Sequence, residues 1–164
     1  MTENTSQSQN VSRRDFLKIA WGFFGGVVAI EAAGVFFSYL QPRLAEGEFG
    51  SVITAGLVED FPLNSVTHIP NGRCYIVRLV DGGFLAVYHR CTHLGCTVPW
   101  DATAQQFVCP CHSSQFDQKG IVENPPAPRP LDLFAVTIEN GEIRVDTGNL
   151  LQRQSFETAQ VVYP

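Results

Sequence analysis

Hydrophobic and polar positions follow two different rhythms along this chain. Residues 19–40 form an apolar run broken by a single charge, Glu31, and preceded by a polar stretch and a short basic one. At 1.5 Å per residue, 22 residues span about 33 Å, enough for a hydrocarbon core of about 30 Å. A single membrane-crossing helix is therefore expected there. Beyond residue 40 no long 3.6-residue period occurs, and the pattern turns to short β segments. Residues 73–80 and 84–89 are rich in Val, Ile, Leu and Tyr and flank Asp81-Gly82-Gly83, a hairpin signal. Residues 135–138 and 143–145 repeat that pattern around Asn140-Gly141. Residues 52–53 and 66–69 predict shorter strands, and 152–160 a short helix or a tail packed on the head.

These elements suggest an all-β head of antiparallel sheets on one N-terminal transmembrane helix. The expected organisation is a cytoplasmic tail over 1–18, an anchor over 19–40, a linker or hinge over 41–50, and the head over 51–164. The linker combines Pro, Gly and charge without periodicity. Residues 90–130 hold four of the five cysteines and a Pro-rich stretch, which suggests a small subdomain inserted on the β base.

Composition narrows the function. A hydrophobic content of 45% excludes a disordered chain, and 14 Gly with 10 Pro suit a loop-rich β domain. The net charge of -5 argues against a nucleic-acid partner. In residues 1–40, Arg13, Arg14 and Lys18 balance Glu3, Asp15 and Glu31, so the negative charge belongs to the head side. The segment Ser12-Arg13-Arg14-Asp15-Phe16-Leu17-Lys18 resembles the twin-arginine signal, which implies export of an already folded protein. The long apolar run, Pro42-Arg43 and the lack of an Ala-x-Ala site favour a retained anchor. The basic residues before it keep the N-terminus cytoplasmic and the head outside. Mid-span, a charged Glu31 is costly in lipid, so it either faces protein partners or is protonated, and Gly22, Gly25, Gly26 and Gly34 allow close helix approach.

Two boxes carry the chemistry: Cys91-Thr92-His93-Leu94-Gly95-Cys96 and Cys109-Pro110-Cys111-His112-Ser113-Ser114. Each offers a thiolate and an imidazole, and four such ligands fit either zinc or a two-iron cluster. A plain zinc site leaves Cys96 and Cys111 unexplained, whereas in an exported head they can tie the two loops together. Cys74 lies outside both boxes and reads as a small buried hydrophobe. His68 and His89 have no such context and receive no function.

The boxes resemble those of Rieske iron–sulfur proteins of cytochrome bc and b–f quinol oxidoreductases. The resemblance covers the anchor and residues 85–131 well, and the outer strands in outline. It implies a [2Fe-2S] cluster with Cys91 and Cys109 on one iron, His93 and His112 on the other, and a Cys96–Cys111 disulfide. It further implies that His112 meets quinol as the proton acceptor, with His93 near the exposed tip and Leu94 closing that tip. The implied partners are a cytochrome b subunit and a cytochrome c- or f-like acceptor, with quinol at a shared site in a plasma or photosynthetic membrane. Two imidazoles in place of thiolates reduce the cluster's negative charge and lift its potential to about -150 to +300 mV. By the same resemblance Ser114 donates its hydroxyl to a bridging sulfide. Phe116 stands where many high-potential members carry Tyr, so a lower potential suited to menaquinol is expected. Ser113 replaces the usual Gly, and residues 125–130 (PPAPRP) resemble the proline loop that covers the cluster.

Two other classes compete. One is the Rieske small subunit of a molybdenum enzyme such as arsenite oxidase, disfavoured by the retained span. The other is a zinc-stabilised, membrane-tethered binding module, which leaves Cys96, Cys111 and the folded-export signal unexplained.

Overall fold

The computed structural model describes residues 12–40 and 47–164. The chain divides into two units, a helix and a β head. Helix α1 spans Arg13–Leu40 and is the one described helix long and apolar enough to cross a membrane. It starts six residues before the expected span, because hydrogen bonding does not stop at a membrane surface. Asp15 in the first turn complements the helix dipole and lies 3.5 Å from Lys18.

The head is built on a six-stranded antiparallel sheet. Its strands are β1 (Val52–Leu57), β2 (Ser65–Ile69), β3 (Cys74–Arg78), β4 (Phe84–Tyr88), β9 (Leu133–Glu139) and β10 (Glu142–Leu151). They lie in the order β1-β10-β9-β4-β3-β2. Both expected hairpins form, with Asp81-Gly82-Gly83 turning β3 into β4 and Asn140-Gly141 turning β9 into β10. The first is shorter than the sequence suggested, since Leu79 already bonds Gly83 across the turn. Strands β3 and β4 are buried along most of their length. Alternation sends Tyr75 and Val77 into one core and Cys74 and Ile76 into another. The sheet curls, because Ile53 on edge strand β1 reaches the β2–β3 turn. A Cβ on Gly72 would sit 2.4 Å from the Ile53 Cδ1.

A second, four-stranded sheet stands between β4 and β9 in sequence. It comprises β5 (Trp100–Asp101), β6 (Gln106–Val108), β7 (Gln115–Phe116) and β8 (Val122–Asn124). Phe107 pairs with both Trp100 and Phe116 and seats this sheet on the base, its ring 5.1 Å from that of Tyr75. Phe107 and Phe116 are fully buried.

Of the residues expected as linker, 41–46 lie outside the described residues, and 47–50 are folded onto the head. Gly50 N–H donates to Thr147 Oγ1 at 2.7 Å, and the Phe49 ring packs between Tyr88 and Phe134. The tail does what the sequence left open in both forms. A 3-10 turn forms at Thr158–Gln160, and Val162 bonds Phe84 on β4.

Arg153 locks the two sheets together. It is 5% exposed, and its guanidinium donates to the carbonyls of Leu131 and Lys119 and to Gln160 Oε1. Burial pulls its pKa down to about 10, so it remains charged at neutral pH. Arg153→Met keeps the bulk and leaves buried carbonyls unsatisfied, at a cost of about 3 kcal/mol. Thermal unfolding should show that loss; an unchanged midpoint would mean water replaces the guanidinium.

Candidate metal centre

The two boxes fold into the same turn. Cys91 N–H donates to the Cys96 carbonyl at 2.8 Å, and Gly95 N–H to the Cys91 carbonyl at 2.9 Å. In the second box Cys109 N–H donates to the Ser114 carbonyl at 2.8 Å, and Ser113 N–H to the Cys109 carbonyl at 2.9 Å. The fifth position of each turn is left-handed, with φ 76° at Gly95 and 60° at Ser113. Serine thus adopts the conformation in which glycine is at ease, and the turn is retained at a conformational cost.

This closure sets the donors. Cys91 and Cys109 are buried free thiols, 4% and 2% exposed. His93 and His112 meet edge-to-face with ring centroids 4.8 Å apart. His112 is exposed and His93 half-buried. The Nδ1 atom of His93 is buried without a hydrogen-bond partner, the state of a donor aimed at a metal. The sulfurs of Cys96, Cys109 and Cys111 lie within 4.8 Å of one another. Cys96 and Cys111, however, are joined in a disulfide, which removes both as ligands. Closing a 15-residue separation contributes about 3 kcal/mol in the chain-entropy account. Two thiols and two imidazoles remain, a donor set that fits a two-iron cluster. Burial, together with the neighbouring Cys109 sulfur, holds the Cys91 thiol above its ordinary value against the opposing His93 N–H and Ser114 hydroxyl. Loading of iron is therefore linked to proton release.

Several contacts around the boxes were invisible in the sequence. Thr92 Oγ1 donates to the Arg129 carbonyl at 2.6 Å, and Ala127 N–H donates to Ser114 Oγ at 3.0 Å. Asn124 Nδ2 donates to the Ser113 carbonyl at 3.2 Å. The 125–130 loop is thus tied to both boxes. It contains a cis Pro125–Pro126 bond, and the Arg129–Asp132 ion pair closes its far end. Ser114 is fully buried, accepts from Ala127 and interacts with Cys91. Phe116 is packed in the core beneath. Leu94 directly follows His93 in the first box and is 70% exposed. Cys74 is fully buried on β3, and burial pushes its thiol up to about 12.

Two loops presenting this donor set on a small β subdomain define an iron–sulfur protein of the electron-transfer class. Residues 53–137 match the Rieske [2Fe-2S] domain. The chain belongs to the Rieske family and carries its [2Fe-2S] cluster. It is 32% identical to the cytochrome b6-f complex iron-sulfur subunit of Chlorobaculum tepidum, over 81% of this chain and 74% of that protein. Identity to the subunit of the same description from Gloeobacter violaceus is 33%, over 88% of each. The plasma membrane Rieske protein PetC3 from Synechocystis PCC 6803 is 31% identical, covering 57% of this chain and 97% of its own, at a TM-score of 0.46.

The strained turn makes a prediction. Ser113→Gly should stabilise the head by up to about 1 kcal/mol, or roughly 4 °C in thermal midpoint. A drop instead would show that the Ser113 hydroxyl supports the turn.

Proposed function

We propose that this chain is the electron-transfer subunit of a membrane quinol oxidoreductase. It is anchored by α1, with its N-terminus cytoplasmic and its head on the opposite side. The reading rests most on one observation: a histidine pair at an exposed tip, backed by two buried free cysteines. Two relatives, 32% and 33% identical, are iron-sulfur subunits of cytochrome b6-f complexes, which supports the same assignment. In this reading Cys91 and Cys109 hold one iron, and His93 and His112 hold the other. When bound, the cluster supplies a one-electron acceptor of raised potential.

The remaining steps belong to side chains. His112, exposed at the tip, meets a quinol hydroxyl and accepts its proton. Leu94 offers an apolar contact beside it. A cytochrome b subunit completes the quinol pocket, since this chain has no haem-attachment motif and presents only the tip. The electron leaves to a cytochrome c- or f-like carrier. The Arg13-Arg14 signal fits export after the cluster is inserted.

Ser114 tunes the site. With Ala127 N–H donating to its oxygen, its own hydrogen is free to point at sulfur. A bond strengthened by about 1 kcal/mol on reduction corresponds to roughly 40 mV for one electron. Ser114→Ala should lower the midpoint by about that amount, and Phe116→Tyr should raise it through the missing hydroxyl. An EPR-monitored redox titration of the membrane-bound protein measures both. A Rieske signal with a positive midpoint, reduced by added menaquinol, is expected. Zinc in place of iron in fully matured protein would overturn the reading.

A further inference from the structure

Most basic side chains of the head are engaged within the fold. Arg129 pairs with Asp132 and Arg144 with Glu139. Arg78 donates to the carbonyls of Val58 and Phe61, and Arg153 is buried. Lys119 lies over the Phe156 ring with Asp81 and Asp117 as electrostatic neighbours. Among the described residues of the head, Arg73, Arg90 and Lys119 make no ion pair within 4.0 Å, and of these three only Arg73 and Arg90 are exposed. The His89 N–H donates to the Arg73 carbonyl at 3.2 Å, which brings Arg90, one residue on, beside Arg73. In a head that carries the chain's net negative charge, these two exposed guanidiniums belong to one corner.

That corner is built. The Arg73 guanidinium lies 4.4 Å from the Phe49 ring centroid. Phe49 stacks on Tyr88, Tyr88 on His89 and His89 on His68, with centroids 6.2, 5.6 and 6.1 Å apart. Arg73 itself has φ 50°, a left-handed position that disfavours a residue carrying a Cβ. At the other end Arg90 directly precedes Cys91. Its guanidinium lies 3.3 Å from where a Cβ on Gly95 would sit, against the first box.

We propose that the Arg73–Arg90 corner is a docking surface for a carboxylate-bearing face of a partner protein that exchanges electrons with this chain. The proposal rests on the electron-transfer reading above for what the partner does. Guanidinium forks match carboxylates in bidentate geometry, and the charge is permanent at any working pH. The aromatic row beneath Arg73 limits the freedom lost on binding. Two such cations fall short of the clusters of about four to eight that recognise anionic lipid. Docking here brings the partner against the Cys91–Cys96 loop, beside the cluster.

The test uses full-length holoprotein in phosphatidylcholine nanodiscs, titrated with poly-L-glutamate at low salt. Wild type should bind, and a double Arg73→Gln, Arg90→Gln variant should bind at least tenfold more weakly. Arg90→Gln alone should lose part of that affinity, and Arg144→Gln, altering a paired arginine, none. Equal affinity in all variants would overturn the proposal. So would stronger capture by phosphatidylglycerol vesicles that the double variant loses, which would assign the corner to lipid. EPR and reduction by quinol, recorded on the same samples, separate the two failures. Normal reduction without binding removes the docking surface alone, and binding without quinol reduction removes the quinol reading alone.

Discussion

Each box is closed by two main-chain hydrogen bonds between its first residue and its last two, and the rest of the site depends on that closure. A loop held this way points its cysteine inward and its histidine toward the tip without help from a helix or a long strand. The buried thiols are Cys91 and Cys109, and the paired rings are His93 and His112. The Cys96–Cys111 disulfide then joins the loops, so neither can open without the other. Donors must be held near their working geometry before the cluster is loaded, because a loose site loses selectivity and stability alike.

The 125–130 loop and Arg153 extend that rigidity into the head. The first bonds both boxes through Thr92 and Ser114. The second ties the carbonyls after the proline loop and before Gly120 to the C-terminal turn. Gly120 leaves no room for a side chain, since a Cβ there would lie 2.9 Å from the guanidinium. A buried cation is costly to desolvate, and its carbonyl partners offset much of that cost. What it supplies is a fixed relation between the small sheet and the base.

Electrostatics divides the head along the same lines. Acidic groups dominate overall, yet the Arg90 guanidinium lies against the first box and that of Arg73 over Phe49. His112 and Leu94 are exposed in the second and first boxes, while Arg73 and Arg90 carry permanent charge.

Much of this was legible in one dimension, because it is carried by local pattern. The apolar run marked α1, and the Gly-centred turns marked the β3–β4 and β9–β10 hairpins, since turn conformation depends on adjacent residues. The two boxes marked a metal-binding donor set through ligand type and spacing, which are short-range properties, and their resemblance to Rieske boxes implied the cluster. The tertiary fold alone decided what depends on distant meetings: the curl that brings Ile53 onto Gly72, the Ala127 N–H on Ser114, and Arg153 between two sheets. Sequence assigned His68 and His89 nothing, and only folding stacked them with Tyr88 and Phe49 beside two arginines. The difference is physical: a turn or a helix is specified by neighbours along the chain, whereas burial, pairing and charge surroundings are set by residues tens of positions away.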